Sequence, residues 1–154
     1  MRSTPATNPF SGPILGVGID LMDAARIRRA VAREGADFLR EFLRPTEIDR
    51  CHRTRYPVAA AAAAFAAKEA FFKALGTGRA GKISWHDVEV LGLEGGSKIG
   101  PRLRLTGEAS EIARKKGVTS SHLAVASLGG KVATAVATVV LEGARRHKRL
   151  KRTL

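Results

Sequence analysis

Phe65-Ala66-Ala67-Lys68-Glu69-Ala70-Phe71-Phe72-Lys73-Ala74-Leu75-Gly76 is the stretch on which the fold turns. From Val58 to Leu75 the chain is almost entirely Ala, Phe, Val and Leu, with Pro57 before it and Gly76 after it, the punctuation of a helix bounded at both ends. A helix apolar nearly all round is enclosed by protein on most sides. Phe65, Glu69 and Phe72 follow one another at four and three residues, so the Glu69 carboxylate shares a stripe with two phenyl rings. Ionised there without a partner, it would cost several kcal/mol. Two kinds of partner are open. Lys73, one turn on, makes an ordinary helical ion pair worth about 0.2–0.5 kcal/mol. A divalent cation shared with a second carboxylate would do more, with Lys73 facing the same anion as the metal.

A second carboxylate is near at hand in the sequence. Ile14-Leu15-Gly16-Val17-Gly18-Ile19 reads as a short buried strand ended by Asp20, and a helix follows from about Asp23 to Arg33. Asp20 at a strand end is placed for a site; the plainer reading is that Asp20 or Asp23 caps that helix, its carboxylate accepting from amides of the first turn.

These residues, taken together, resemble the holo-acyl-carrier-protein synthases, the small 4′-phosphopantetheinyl transferases. The resemblance is carried by Gly16-Val17-Gly18-Ile19-Asp20-Leu21 with Arg26 six residues past the Asp, by Phe42-Leu43-Arg44-Pro45-Thr46-Glu47, and by Phe65 through Gly78. It continues through Trp85–Val90, Gly100–Gly107 and Ala135–Glu142, covering roughly residues 14–142 in order. It implies an α+β fold of the 4′-phosphopantetheinyl transferase type, an antiparallel sheet packed on a long central helix. It also implies a magnesium-dependent reaction. The phosphopantetheine arm of coenzyme A passes to a serine of an apo acyl carrier protein, and adenosine 3′,5′-bisphosphate is released.

On this resemblance Asp20 and Glu69 hold Mg2+, and Glu69 and Lys73 are the catalytic pair. Magnesium takes hard oxygen ligands, commonly one or two carboxylates with phosphate oxygens and water, and phosphoryl transfer depends mainly on positioning and charge neutralisation. Lys68 is rotated roughly 100° from Glu69 on the helix; it is either a neighbouring coenzyme contact or a structural ion pair. Gly76, Thr77 and Gly78 form a loop whose backbone can approach the coenzyme. Arg26, Arg29 and Arg33 recur at helical spacing as a cationic stripe, which on the resemblance docks the acidic carrier protein. The family is usually a trimer with coenzyme sites at subunit boundaries. Two departures stand out. Relatives carry Arg directly before the Phe-Ala-Ala-Lys-Glu-Ala element, where this chain has Ala64. Their Ser-x-Ser/Thr-His turn places His, aligned back from Glu142, at Gly130; His122 serves as that coenzyme contact only if the insertion in the hairpin lies after it. A carrier-binding homologue without activity is the alternative these changes keep open.

Composition agrees with one domain. The 154 residues suffice for a single ordinary core. One cysteine, Cys51, allows no internal disulfide and suits a reducing, cytoplasmic setting. Residues 1–12, rich in Ser, Thr, Pro and Asn, read as a flexible tail, 13–142 as the transferase domain, and 143–154 as a basic tail. No apolar run is long enough to span a membrane. The net charge of +13 asks for an acidic partner. A nucleic-acid-binding protein is the rival from charge alone, but aromatics are 5% and lie mostly in apolar runs, without a binding module. Elsewhere a second helix is expected from Thr46 to about Arg53 with Thr46 and Asp49 as a capping box. Trp85–Leu93 and Pro101–Leu105 form a hairpin, with Trp85 in the core; a helix over Gly107–Lys116 and two final strands complete the chain.

Overall fold

The computed structural model describes residues 12–78, 83–94, 99–128 and 134–144. Its centre is the helix α4 (Pro57–Leu75), opened by Pro57 at the first helical position and closed by Gly76 in the left-handed conformation at φ 71°. The element order is β1 (Ile14–Asp23), α1 (Ala24–Glu34), α2 (Asp37–Phe42), α3 (Pro45–His52), α4, a 3-10 turn over Trp85–Asp87, β2 (Val88–Leu91), β3 (Arg102–Leu105), α5 (Gly107–Lys115), β4 (Val118–Leu128) and β5 (Thr134–Gly143). The strands make two antiparallel sheets rather than one. Three strands run in the order β1-β5-β4, and β2 pairs with β3.

The three-stranded sheet lies on α4 through small residues. A Cβ at Gly16 would overlap the Ala74 carbonyl, and one at Gly18 would overlap the Ala70 carbonyl and the Ala74 amide. The glycines therefore let a strand backbone rest on a helix backbone. From β5, Ala135, Ala137, Val139 and Leu141 face the same helix and are buried. On the other side of α4, Phe42 packs edge to face with Phe65 and Trp85, and Phe72 with Trp85, at centroid distances of 5.1–6.2 Å, while the Phe65 and Trp85 rings are tilted by 35° at 5.0 Å. Trp85 joins the core as expected.

Three expectations are corrected. β1 does not end at Asp20; it runs to Asp23, which caps α1 by accepting from the Ala25 amide at 2.8 Å. Asp20 is thereby left mid-strand, on the α4 side with Gly16 and Gly18, and has no capping duty. Nor is β1 buried on both faces. Val17, Ile19 and Leu21 are 54%, 52% and 61% exposed, on the face away from α4. Finally, α3 begins at Pro45, and its N-terminus is held by Glu47, whose carboxylate accepts from the Arg44 amide at 2.9 Å, instead of by Thr46 and Asp49. The two expected tails lie outside the described residues apart from Gly12, Gly143 and Ala144; the Gly12 amide donates to the Glu142 carboxylate. Among the described residues no helix is long and apolar enough to cross a membrane.

Candidate active site

Asp20 and the second half of α4 meet along the edge of the sheet. The Lys73 ammonium donates to Asp20 Oδ1 at 2.6 Å and to the Ile19 carbonyl at 3.1 Å. Asp20 is largely enclosed, its side chain 14% exposed, while Lys73 is 51% exposed. Glu69, half-buried, lies one turn from Lys73 on the same stripe of α4. Thus a carboxylate and a backbone carbonyl already converge on one cation, and Glu69 is placed one helical turn before that lysine. This is a hard-oxygen donor set of the kind magnesium takes when substrate phosphate completes its shell. Among the described residues no three His, Cys, Asp or Glu side chains cluster as a metal cage; a site of this type does not need one. Asp20, an oxygen donor already bonded to a cation, and Glu69, a carboxylate one turn from that cation along α4, are of the chemical type that magnesium takes.

The loop Gly76-Thr77-Gly78 leaves the same end of α4, with Gly76 and Gly78 at positive φ of 71° and 55° and Thr77 Oγ1 donating to the Gly78 carbonyl at 3.1 Å. Residues 79–82 of that connection lie outside the described residues.

Lys68 belongs elsewhere. Its side chain is 0% exposed and its ammonium bonds the Phe42 carbonyl at 2.6 Å, Glu47 Oε2 at 2.8 Å and the Trp85 carbonyl at 3.2 Å. Burial pushes its pKa down, opposed by the charge and hydrogen bond of Glu47. Of the two readings of Lys68, the geometry is that of the structural ion pair; no face of the ammonium is open to a coenzyme. Nearby, Glu89 would be raised by burial, but the Arg50 hydrogen bond at 2.7 Å and the charges of Arg50, Arg104 and Arg44 outweigh it and hold the carboxyl below its usual value. Burial, helped by Glu47, lifts the Cys51 thiol to about 12, which leaves it unreactive.

Arg26, Arg29 and Arg33 line one groove of about 390 Å³ together with Met22, Ile27, Ala30, Phe38 and Phe65. Of these lining residues, Met22 is two residues from Asp20 and Phe65 is one helical turn before Glu69. His122 lies within β4, opposite Val140, with Nε2 2.8 Å from Glu142 Oε2, a carboxylate 3% exposed that also accepts from Ser120 Oγ at 3.2 Å. Gly130, where the aligned histidine would fall, lies outside the described residues. A further groove, not foreseen from the sequence, opens at the start of α4 between the β2–β3 hairpin and β4. Ala64, buried at 1% exposure, presents no charge near it.

The family model of the 4′-phosphopantetheinyl transferase superfamily matches residues 16–136. The chain belongs to that superfamily. Holo-[acyl-carrier-protein] synthase of Desulforudis audaxviator is 43% identical over 134 residues, covering 86% of this chain and 99% of the relative. The crystal structure of the Neisseria meningitidis synthase superposes with a TM-score of 0.70 at 32% identity, covering 84% of this chain and 99% of that one. That of the Helicobacter pylori synthase in complex with coenzyme A does so with a TM-score of 0.65 at 30% identity, covering 82% and 99%. This phosphopantetheinyl transferase thus has the α+β architecture of its relatives, with the long central helix of the family at its core.

Proposed function

We propose that this transferase moves the 4′-phosphopantetheine group of coenzyme A to a serine of an apo acyl carrier protein, with Mg2+ held by Asp20 and Glu69. The observation that carries the reading is the bonded Asp20 and Lys73 at the sheet edge, with the arginine-lined groove bordered by Met22, two residues from Asp20, and by Phe65, one turn before Glu69. The synthase from Helicobacter pylori, crystallised with coenzyme A, supports the donor. The bound ion would neutralise charge on the coenzyme diphosphate. Lys73, fixed by Asp20 and the Ile19 carbonyl, presents a second positive charge on the same side. The serine oxygen forms a bond to the phosphorus that bears pantetheine. The bond from that phosphorus to the bridging oxygen breaks, and adenosine 3′,5′-bisphosphate leaves. Glu69 is the carboxylate on hand for the serine proton. Gly76–Gly78 would lie along the coenzyme, and His122 is a candidate for a second contact. Arg26, Arg29 and Arg33 would steer an acidic carrier protein and set its register. The buried, unreactive Cys51 fits work in a reducing cytoplasm, where the reaction would serve fatty acid synthesis.

The assay is direct. The protein, coenzyme A, magnesium and an apo acyl carrier protein are mixed and the carrier is weighed by mass spectrometry. A phosphopantetheine adduct is expected, lost on adding a chelator, and its absence from the complete mixture overturns the reading. Arg26→Ala is expected to weaken carrier binding roughly tenfold while coenzyme affinity holds.

The same reading makes the enzyme a homotrimer. Val17, Ile19 and Leu21 stand exposed beside Val136, Thr138 and Val140 of β5, one apolar sheet face of the kind a second copy covers. The acidic cluster lies at the β1 edge of that sheet, whereas the unforeseen groove lies at the β4 edge. Sedimentation at micromolar protein is expected to give a trimer; Leu21→Asp is expected to dissociate it, and a wild-type monomer would refute the assembly.

A further inference from the structure

Two lysines of α4, Lys68 and Lys73, are held in opposite ways. Lys68 is enclosed, and its three donors all have acceptors, the Phe42 carbonyl, Glu47 Oε2 and the Trp85 carbonyl. Lys73 bonds Asp20 Oδ1 and the Ile19 carbonyl while its side chain stays half exposed. Lys68 cannot move away without orphaning a buried carboxylate. Lys73 can, because its ammonium is a strongly hydrated point charge on a flexible four-carbon stem and solvent already reaches it. What keeps it in place is the need of its partner. Asp20 is largely enclosed, on a strand that Gly16 and Gly18 lay against the backbone of Ala70 and Ala74, and an enclosed carboxylate requires a cation beside it.

The acceptors of Lys73 are a carboxylate oxygen and the carbonyl oxygen of the preceding residue, and both are donors of the type a hard cation takes. An ammonium and a divalent ion that claim the same Asp20 oxygen repel each other. Displaced by the ion alone, the Lys73 ammonium passes to water. Displaced by the ion together with a diphosphate, it gains phosphate oxygens as new charged partners. We propose that Lys73 is a placeholder cation on Asp20, and that its transfer from Asp20 to the diphosphate of the donor couples the binding of metal and coenzyme, each strengthening the other by the same factor. The hold of Asp20 and Ile19 on Lys73 is then the resting one, released as the donor enters. The inference rests on Asp20 being a metal ligand and on a diphosphate donor. It adds a reason for the ion to arrive with the coenzyme rather than ahead of it.

The test uses Mn2+ in place of Mg2+ and reads free ion by electron paramagnetic resonance, with and without coenzyme A. Wild type, Asp20→Asn, Lys73→Met and the Asp20→Asn/Lys73→Met double variant are compared, each checked by circular dichroism for an unchanged fold. Mn2+ alone is expected to bind Lys73→Met roughly 5- to 20-fold more tightly than wild type, and the double variant is expected to lose that gain. The tightening that coenzyme A produces is expected to shrink in Lys73→Met, what remains being direct ligation of the ion by the diphosphate. A positive charge merely near the ion would also weaken its binding, so a second readout follows the ammonium itself. The 13C signal of Lys73 Cε, identified by its absence from Lys73→Met, is expected to shift when wild type is saturated with Mg2+ alone at constant ionic strength. An unmoved signal, or a Lys73→Met variant that binds Mn2+ no more tightly than wild type, overturns the placeholder role and leaves Asp20 as a ligand. Equal Mn2+ affinity of wild type and Asp20→Asn in the presence of coenzyme A overturns the metal assignment, and this inference with it.

Discussion

Asp20→Ala and Glu69→Ala are each expected to lower adduct formation by roughly two to three orders of magnitude while leaving the fold intact. Neither carboxylate is part of the packed core. Asp20 is held at the edge of the sheet by Lys73, which also donates to the Ile19 carbonyl, and Glu69 is half-buried on the margin of α4. Their removal therefore costs little packing. What it takes away is the negative charge that would hold a cation against the diphosphate, and such charge stabilisation is worth about 3–4 kcal/mol, or a factor of ten for each 1.36 kcal/mol. Asp20→Asn sharpens the test, since the amide oxygen still accepts from Lys73 but carries no charge. If the loss were one of geometry alone, Asp20→Asn would retain near-native turnover. If it is one of charge, the variant falls with Asp20→Ala and its activity rises with magnesium concentration far beyond the wild-type optimum. Near-native turnover in Glu69→Ala would remove Glu69 from the site altogether.

The sequence showed the central helix plainly because its signals are local: Pro57, Gly76 and an unbroken apolar run between them. Lys73 beside Glu69 was legible for the same reason, being one turn away. Asp20 was harder. A carboxylate followed three residues later by another at a strand-to-helix join leaves the capping role ambiguous, and only the length of β1, which makes Asp23 the cap, frees Asp20. Gly16 and Gly18 were legible as part of a motif but not in their use, a long-range approach to Ala70 and Ala74 that no local pattern contains. The misplaced cap on α3 has a similar origin. Thr46 and Asp49 have the right types and spacing, yet Pro45 starts the helix one residue earlier and brings Glu47 to the capping position. The open face of β1 was hidden by composition. Leu15, Val17, Ile19 and Leu21 alternate with Gly16, Gly18, Asp20 and Met22, and with large apolar residues on one face and glycines on the other the run reads as buried on both sides. Apolar patterning reports that a face will be covered, not by which chain. The groove at the start of α4, which Arg55 lines, was invisible for another reason: its lining comes from four separate segments, and an arginine in a run of polar residues looks like any solvated one.

Lys68→Met is expected to destabilise the enzyme by about 3–5 kcal/mol, although Lys68 is the immediate chain neighbour of Glu69 and its enclosed ammonium meets no substrate. Lys68 and Glu47 form an ion pair with side-chain exposures of 0% and 2%. Glu47 is also bonded to the amides of Arg44 at 2.9 Å and Val90 at 2.8 Å, so the pair ties α4 to the start of α3 and to β2. Methionine fills much of the lysine volume but leaves the Glu47 carboxylate buried without its cation, and the Phe42 and Trp85 carbonyls without their donor. Because the penalty arises from the orphaned charge rather than from lost attraction, Glu47→Gln combined with Lys68→Met is expected to recover a substantial part of it, a coupling that double-mutant analysis of urea unfolding at fixed protein concentration reads directly. A single variant within about 1 kcal/mol of wild type would mean that water reaches Glu47 and that the pair is not the clasp described. Arg50 and Glu89 supply an internal comparison. Glu89 is met by Arg50, Arg104 and Arg44, so removal of Arg104, which is 60% exposed, leaves the carboxylate still paired and is expected to cost far less than removal of Lys68. The ordering of these two losses separates a clasp made by one buried cation from a charge shared among several, and it explains how a lysine next to Glu69 can hold the helix that positions that carboxylate without itself meeting the coenzyme.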